Sequence, residues 1–146
     1  DRLHSPCTAD EAARRELQSS DDDIDVVFAV DSNIHRPFFA AARSIAHTSS
    51  SPGKVHIHVI SAESEASQLD ADVDCVQLRD LGFAEVNVIG IEPVQIRAFP
   101  KNGRTRLNNP MNFVRFHLHE FLPQRVSRVL WLDADLLVLR DLRELW

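Results

Sequence analysis

Four short apolar runs, separated by helical or polar stretches, constrain what this chain can fold into more than any other feature. Residues 24–30 (IDVVFAV) are almost continuously apolar, the pattern of a strand buried on both faces. Residues 54–60 (KVHIHVI) and 85–91 (EVNVIGI) repeat the theme, and residues 129–132 form the last strong strand. Arg36-Pro37 opens a helix with proline at its first position, and Phe38, Phe39, Ala42, Ile45 and Ala46 form its buried stripe. Serines and Pro52-Gly53 end it, and a polar helical stretch spans about 63–81. Residues 92–108 show no period and read as a long loop. Asn109 as N-cap and Pro110 at the first position predict a helix running to about Leu122, where Pro123 disfavours continuation. Strands alternating with helices predict a Rossmann-like α/β architecture: a mixed or mostly parallel sheet with helices on both faces.

Composition narrows the function classes. The 146 residues are 44% hydrophobic and 26% charged, ordinary for one globular domain. A net charge of −6 argues against a nucleic-acid reader, which needs a basic face. No apolar run approaches the ~18 residues of a membrane span. Cys7 and Cys75 fit no zinc or redox spacing and permit at most one disulfide, leaving the compartment open. Residues 1–23 hold seven acids and three bases, net −4, whereas residues 24–146 hold fifteen and thirteen, net −2. The first segment is expected to be a solvated leader or stalk, and residues 24–146 the folded domain. The chain begins without Met and shows no signal-peptide pattern, so a fragment is expected.

Chemistry concentrates in Val129-Leu130-Trp131-Leu132-Asp133-Ala134-Asp135-Leu136-Leu137-Val138-Leu139. An ionised carboxylate in apolar surroundings costs several kcal/mol unless paired or coordinated. In extended backbone residues i and i+2 share a side, so Asp133 and Asp135 converge while Ala134 faces away. Convergent hard oxygens at the carboxyl end of a strand suit Mg²⁺ or Mn²⁺. The bland alternative is a turn cap at Asp133 and a hydrated Asp135; the four apolar residues on each side favour a site. Phe28-Ala29-Val30-Asp31-Ser32-Asn33 places acceptors and an amide just beyond the first strand, without the glycines of a dinucleotide cradle. Turn chemistry explains Ser32 and Asn33 equally well. On the 110–122 helix, Met111, Val114, Leu118 and Phe121 define an apolar face, and Arg115 sits at another azimuth. There it meets a phosphate or sugar hydroxyl, or else forms an exposed ion pair.

Three blocks together resemble the family 8 glycosyltransferases, retaining nucleotide-sugar enzymes that include glycogenins, bacterial galactosyltransferases and plant pectin enzymes. Residues 28–33 are similar to the family's first nucleotide-contacting loop. Asn109-Pro110-Met111-Asn112-Phe113-Val114-Arg115 resembles the plant galacturonosyltransferase-like pattern Pro-Leu-Asn-Tyr-Ala-Arg, and residues 128–136 resemble the Asp-x-Asp strand. The resemblance implies an A-type glycosyltransferase fold, truncated after that strand. It implies Mn²⁺ (or Mg²⁺) held by Asp133 and Asp135 on the diphosphate of a UDP-sugar. Ala29, Asp31 and Asn33 would contact the nucleotide and Arg115 the donor sugar. The implied reaction is metal-assisted transfer of a hexosyl or uronosyl group, with retention, to a glycan or other hydroxyl acceptor. The plant-like block points to pectin galacturonosyl transfer in the Golgi lumen. Ile34 stands where the family commonly has an aromatic residue, and a histidine metal ligand would lie beyond Trp146.

Two other readings compete. One is an incomplete domain that binds nucleotide without turnover, which predicts weak UDP-sugar binding, no transfer and an exposed apolar edge. The other is a haloacid-dehalogenase-type phosphohydrolase, which also uses Asp-x-Asp but near its amino end. His56 and His58 point to one side of their strand, where a structural role outweighs metal binding. Arg97, Lys101, Arg104 and Arg106 put four bases in ten residues, a solvated loop by default and an anion-facing one as the sharper alternative.

Overall fold

A computed structural model describes residues 22–92 and 109–146. The basic cluster at 97–106 and Cys7 therefore lie outside the described residues, as does the acidic leader except for Asp22 and Asp23. The apolar runs form β1 (Ile24–Ala29), β2 (Val55–Ala62), β3 (Glu85–Ile91) and β4 (Leu130–Trp131). All pairings are parallel, and the spatial order is β3-β2-β1-β4. Helix α1 (His35–Thr48) connects β1 to β2, and α2 (Glu63–Cys75) connects β2 to β3. The chain then crosses β1 to form β4, so the direction of strand addition reverses between β1 and β4.

Strand alternation divides the core between the two sheet faces. Val26 and Phe28 of β1, with Ile57 and Val59 of β2, pack against Phe38, Ala42 and Ile45 of α1 and Leu69 and Val73 of α2. Phe28 and Phe38 meet edge-on with ring centroids 5.2 Å apart. Each such buried ring stabilises the fold by roughly 2–3 kcal/mol. On the other face Val27, Ile60 and Ile91 meet Met111 and Val114. Helix α2 lies so close to β3 that a Cβ on Gly90 would meet the Glu63 carboxylate and come within 3.0 Å of Ala66 Cβ.

The helix boundaries depart from the sequence expectation in informative ways. Helix α1 starts at His35 with Ile34 as its N-cap, so Pro37 is its third residue. The first turn tolerates proline because its N–H groups have no partner inside the helix. Helix α2 ends at Cys75 rather than continuing to Leu81. Gln77 takes a left-handed φ of 55°, the Leu78 N–H donates to Val73 O (3.0 Å), and the Gln77 N–H donates to Asp74 O (2.9 Å). These are the two bonds of a Schellman cap, completed by the buried Val73 and Leu78 side chains. A separate 3₁₀ turn, Arg79–Leu81, follows.

The single helix expected over 110–122 is instead a 3₁₀ segment, Pro110–Phe116, and a short α3, Leu118–Phe121. A 3₁₀ helix repeats every three residues, so Met111 and Val114 both turn into the second core. The stripe resets at His117, after which Leu118 and Phe121 pack against the same cluster.

Candidate functional site

In an open parallel sheet, ligands bind beyond the carboxyl ends of the strands where the winding direction reverses. Here that point lies between β1 and β4, and a cleft of about 240 Å³ opens there. The loop after β1 contributes Ala29, Asp31 and Ile34, and the end of β4 contributes Trp131, Leu132, Asp133, Ala134 and Asp135. Asn109, Met111, Asn112 and Arg115 of the 3₁₀ segment form the third wall. Five of the six expected site residues line this cleft: Ala29, Asp31, Arg115, Asp133 and Asp135. Asn33 is not among the lining residues. It is exposed, and its backbone N–H donates to Asp31 Oδ1 (2.9 Å), the turn chemistry weighed as its alternative.

The surroundings of Asp133 and Asp135 correct the reasoning that singled them out. Both are exposed, and so are the leucines beyond them, Leu137 at 62% and Leu139 at 83%. No desolvation cost therefore demands a partner for either carboxylate. The ladder ends at Trp131, and Ala134-Asp135 form a turn. Ala134 is buried against the first core, and this anchors the turn with an acid on each side of it.

Asp31 is held from two directions. Asn33 N–H engages Oδ1, and the Asn109 side-chain amide donates to Oδ2 (3.3 Å). The Asn109 carbonyl oxygen simultaneously accepts from Met111 N–H (3.0 Å), capping the 3₁₀ segment. One amide thus fastens the element carrying Arg115 to the loop carrying Asp31, two elements 78 residues apart. Across the cleft, the Arg115 guanidinium lies 5.1 Å from the centroid of the Trp131 ring. The Trp131 indole N–H donates a long bond to Asp133 Oδ1 (3.4 Å). Sequence reasoning missed Asn112 and Trp131 as cleft residues and saw Asn109 only as a cap. Residue spacing signals a cap, whereas a partner across the fold leaves no local pattern.

Two carboxylates on one lip of a cleft suit a hard divalent cation. Among the described residues no three His, Cys, Asp or Glu side chains cluster closely enough to hold a metal ion. A cation bound there would have to complete its coordination with oxygens from water or from a ligand.

His56 and His58 sit at the opposite, amino-terminal end of the sheet. His58 is fully buried and its Nε2–H donates to Asp25 Oδ1 at 2.7 Å, with Asp25 2% exposed. Arg125 donates to Asp25 Oδ1 (3.1 Å), to His56 Nδ1 (3.0 Å) and to Glu85 Oε2 (3.1 Å). Burial alone would raise the Asp25 pKa. The His58 hydrogen bond and the Arg125 charge outweigh it, and the carboxyl sits below its ordinary range. The histidines thus join a structural network far from the cleft.

Comparison with known proteins agrees with this architecture. The family model described as Glycosyl transferase family 8 matches residues 25–146. The chain is 31% identical over 124 residues to "Probable galacturonosyltransferase-like 6" of Arabidopsis thaliana, covering 84% of this chain and 35% of that protein. It is 26% identical over 126 residues to "Probable galacturonosyltransferase-like 4" of the same plant, again 35% of that protein's length. It is 27% identical over 131 residues to "Glycosyltransferase 8 domain-containing protein 2" of Bos taurus, covering 88% of this chain and 36% of that one. The chain thus spans about a third of the length of these relatives. Mouse xyloside xylosyltransferase 1 superposes with a TM-score of 0.56 at 19% identity, over 84% of this chain and 46% of that one. That likeness shows the A-type glycosyltransferase fold expected from the sequence.

Proposed function

Because the chain belongs to glycosyltransferase family 8, we propose that its β1/β4 cleft binds the donor of a sugar-transfer reaction, a UDP-linked hexose or uronic acid. The observation that carries this reading is the meeting of Asp31, Arg115, Asp133 and Asp135 at the winding reversal of a parallel sheet. Asp133 and Asp135 would hold Mn²⁺ (or Mg²⁺) against the diphosphate. Held there, such a cation would supply positive charge to offset the negative charge that develops on a nucleoside diphosphate leaving group. Ala29 and Asp31, which line the cleft, would face the nucleotide end of the donor, with Asn33 shaping the loop through its bond to Asp31. Arg115 supplies a fork of donors to a phosphate or sugar oxygen. A cleft of about 240 Å³ is smaller than most small-molecule sites, and in this reading it would form part of the donor site.

The names of the plant relatives support galacturonosyl transfer as the specific reaction. A glycan acceptor, pectin assembly, retention of configuration and a Golgi-lumen location are proposed with it, from the resemblance of the sequence blocks to the plant enzymes. No helix among the described residues is long and apolar enough to cross a membrane. Family membership sets aside the phosphohydrolase alternative. The test is calorimetric titration of UDP with and without Mn²⁺ for the parent chain, Asp133→Asn and Asp135→Asn. Each substitution keeps the side-chain shape and removes an anionic oxygen. Each should weaken Mn²⁺-dependent UDP binding about tenfold or more. UDP affinity that ignores both Mn²⁺ and the two substitutions would overturn the reading.

A further inference from the structure

Trp131 occupies an unusual position in the cleft. It is a half-buried strand residue packed against the second core, yet both of its polar features face the site. Its indole N–H reaches Asp133 Oδ1, and its ring face lies 5.1 Å from the Arg115 guanidinium carbon. Indole is a donor only, so this bond uses one carboxylate oxygen and leaves Oδ2 for other work. Arg115 is exposed on the 3₁₀ segment and would otherwise sweep a wide volume. A cation over an indole face is held there by the ring quadrupole. The backbone of Trp131 is itself fixed, since Val27 and Trp131 are ladder partners and Leu132 N–H donates to Val27 O (3.0 Å).

We propose that Trp131 is a positioning residue that sets Asp133 through its N–H and Arg115 through its ring, coupling the acidic and basic sides of the cleft. The inference rests on the reading of Asp133 as a cation-holding residue. It goes further by assigning the geometry of both charged groups to one uncharged side chain. A residue that only filled the core would affect stability and neither group separately.

The two features can be removed one at a time. Trp131→Phe keeps an aromatic face and deletes the N–H, whereas Trp131→Leu deletes both. Mn²⁺ binding in the presence of UDP is read by loss of the free-ion electron paramagnetic resonance signal. UDP binding without metal is read by calorimetry, and thermal unfolding reports the fold. Trp131→Phe should weaken Mn²⁺ binding about three- to tenfold and leave metal-free UDP binding unchanged. Trp131→Leu should show the same metal defect plus a two- to fivefold loss of metal-free UDP binding, matching Arg115→Gln. In an Asp133→Asn background, Trp131→Phe should have no further effect on Mn²⁺. If Asp133→Asn itself leaves Mn²⁺ binding unchanged, the cation reading has failed. If Asp133→Asn weakens it and Trp131→Phe does not, only the positioning role is refuted. A lower unfolding temperature with both binding constants intact also refutes it.

Discussion

Replacing Arg125 by Met tests how the sheet tolerates a carboxylate inside it. Asp25 is 2% exposed, His58 is fully buried, and Arg125 reaches Asp25 Oδ1 at 3.1 Å from the segment before β4. Methionine keeps most of the aliphatic stem and removes the charge and every donor. Among the described residues Asp25 then retains only the 2.7 Å bond from His58. Removing one partner of a buried ion pair typically costs 3–5 kcal/mol. The Arg125–Glu85 contact adds little, because Glu85 is exposed. His58 still partners the carboxylate, so the low end applies: about 3 kcal/mol at neutral pH.

The pH dependence identifies the cause. Asp25 has a folded pKa below its unfolded value of about 3.9, so its stabilisation is present above that value. It is lost as pH falls through the folded value. The gap between parent and Arg125→Met should therefore be widest at neutral pH and narrow below about pH 4. Urea unfolding at pH 7 and pH 3, followed by circular dichroism, measures both gaps. A gap under about 1 kcal/mol at pH 7, or an equal gap at both pH values, would refute the account.

Two further perturbations probe the cap of the 3₁₀ segment that walls the cleft and the cap of α2. Asn109→Ala should cost about 1 kcal/mol by urea unfolding through loss of the cap, while Asn109→Ser keeps the cap and most of the stability. Both delete the donor to Asp31, so UDP titration should show the same weakening in each. Gln77→Gly should raise stability by about 1 kcal/mol in the same unfolding assay, because glycine relieves the left-handed φ of 55° at the cap of α2.

The strand pattern carried most of the architecture. Runs apolar on both faces imply a parallel sheet, and residues 24–29, 55–62 and 85–91 form one. The end of α2 was illegible because its left-handed cap is a glutamine, and a boundary search looks there for glycine or asparagine. The break at His117 was illegible because Met111, Val114, Leu118 and Phe121 satisfy a 3.6-residue period as written. Only the packed structure shows the first pair obeying a period of three. The carboxylates Asp133 and Asp135 were found through a desolvation argument that their exposure removes. Their placement on the cleft follows instead from the topology. Asp25 was hidden inside an apolar run, and its partner Arg125 lies 100 residues away.

The unequal ladders have a consequence for how the cleft assembles. β1 and β2 share six residue pairs and β2 and β3 share seven, whereas β4 joins β1 through only two, Val26↔Leu130 and Val27↔Trp131. The wall bearing Asp133 and Asp135 is therefore tied to the sheet by the shortest seam among the described strands, and Ala134 packed into the first core supplies its other hold. It also closes against a strand about a hundred residues upstream. If β4 frays before the β1–β3 body unfolds, that wall opens with it. Any ligand bridging the two strand ends must first find them docked, so its apparent affinity is its intrinsic affinity scaled by the docked fraction. Hydrogen exchange at the Leu132 amide, which closes the seam onto Val27, measures that fraction directly.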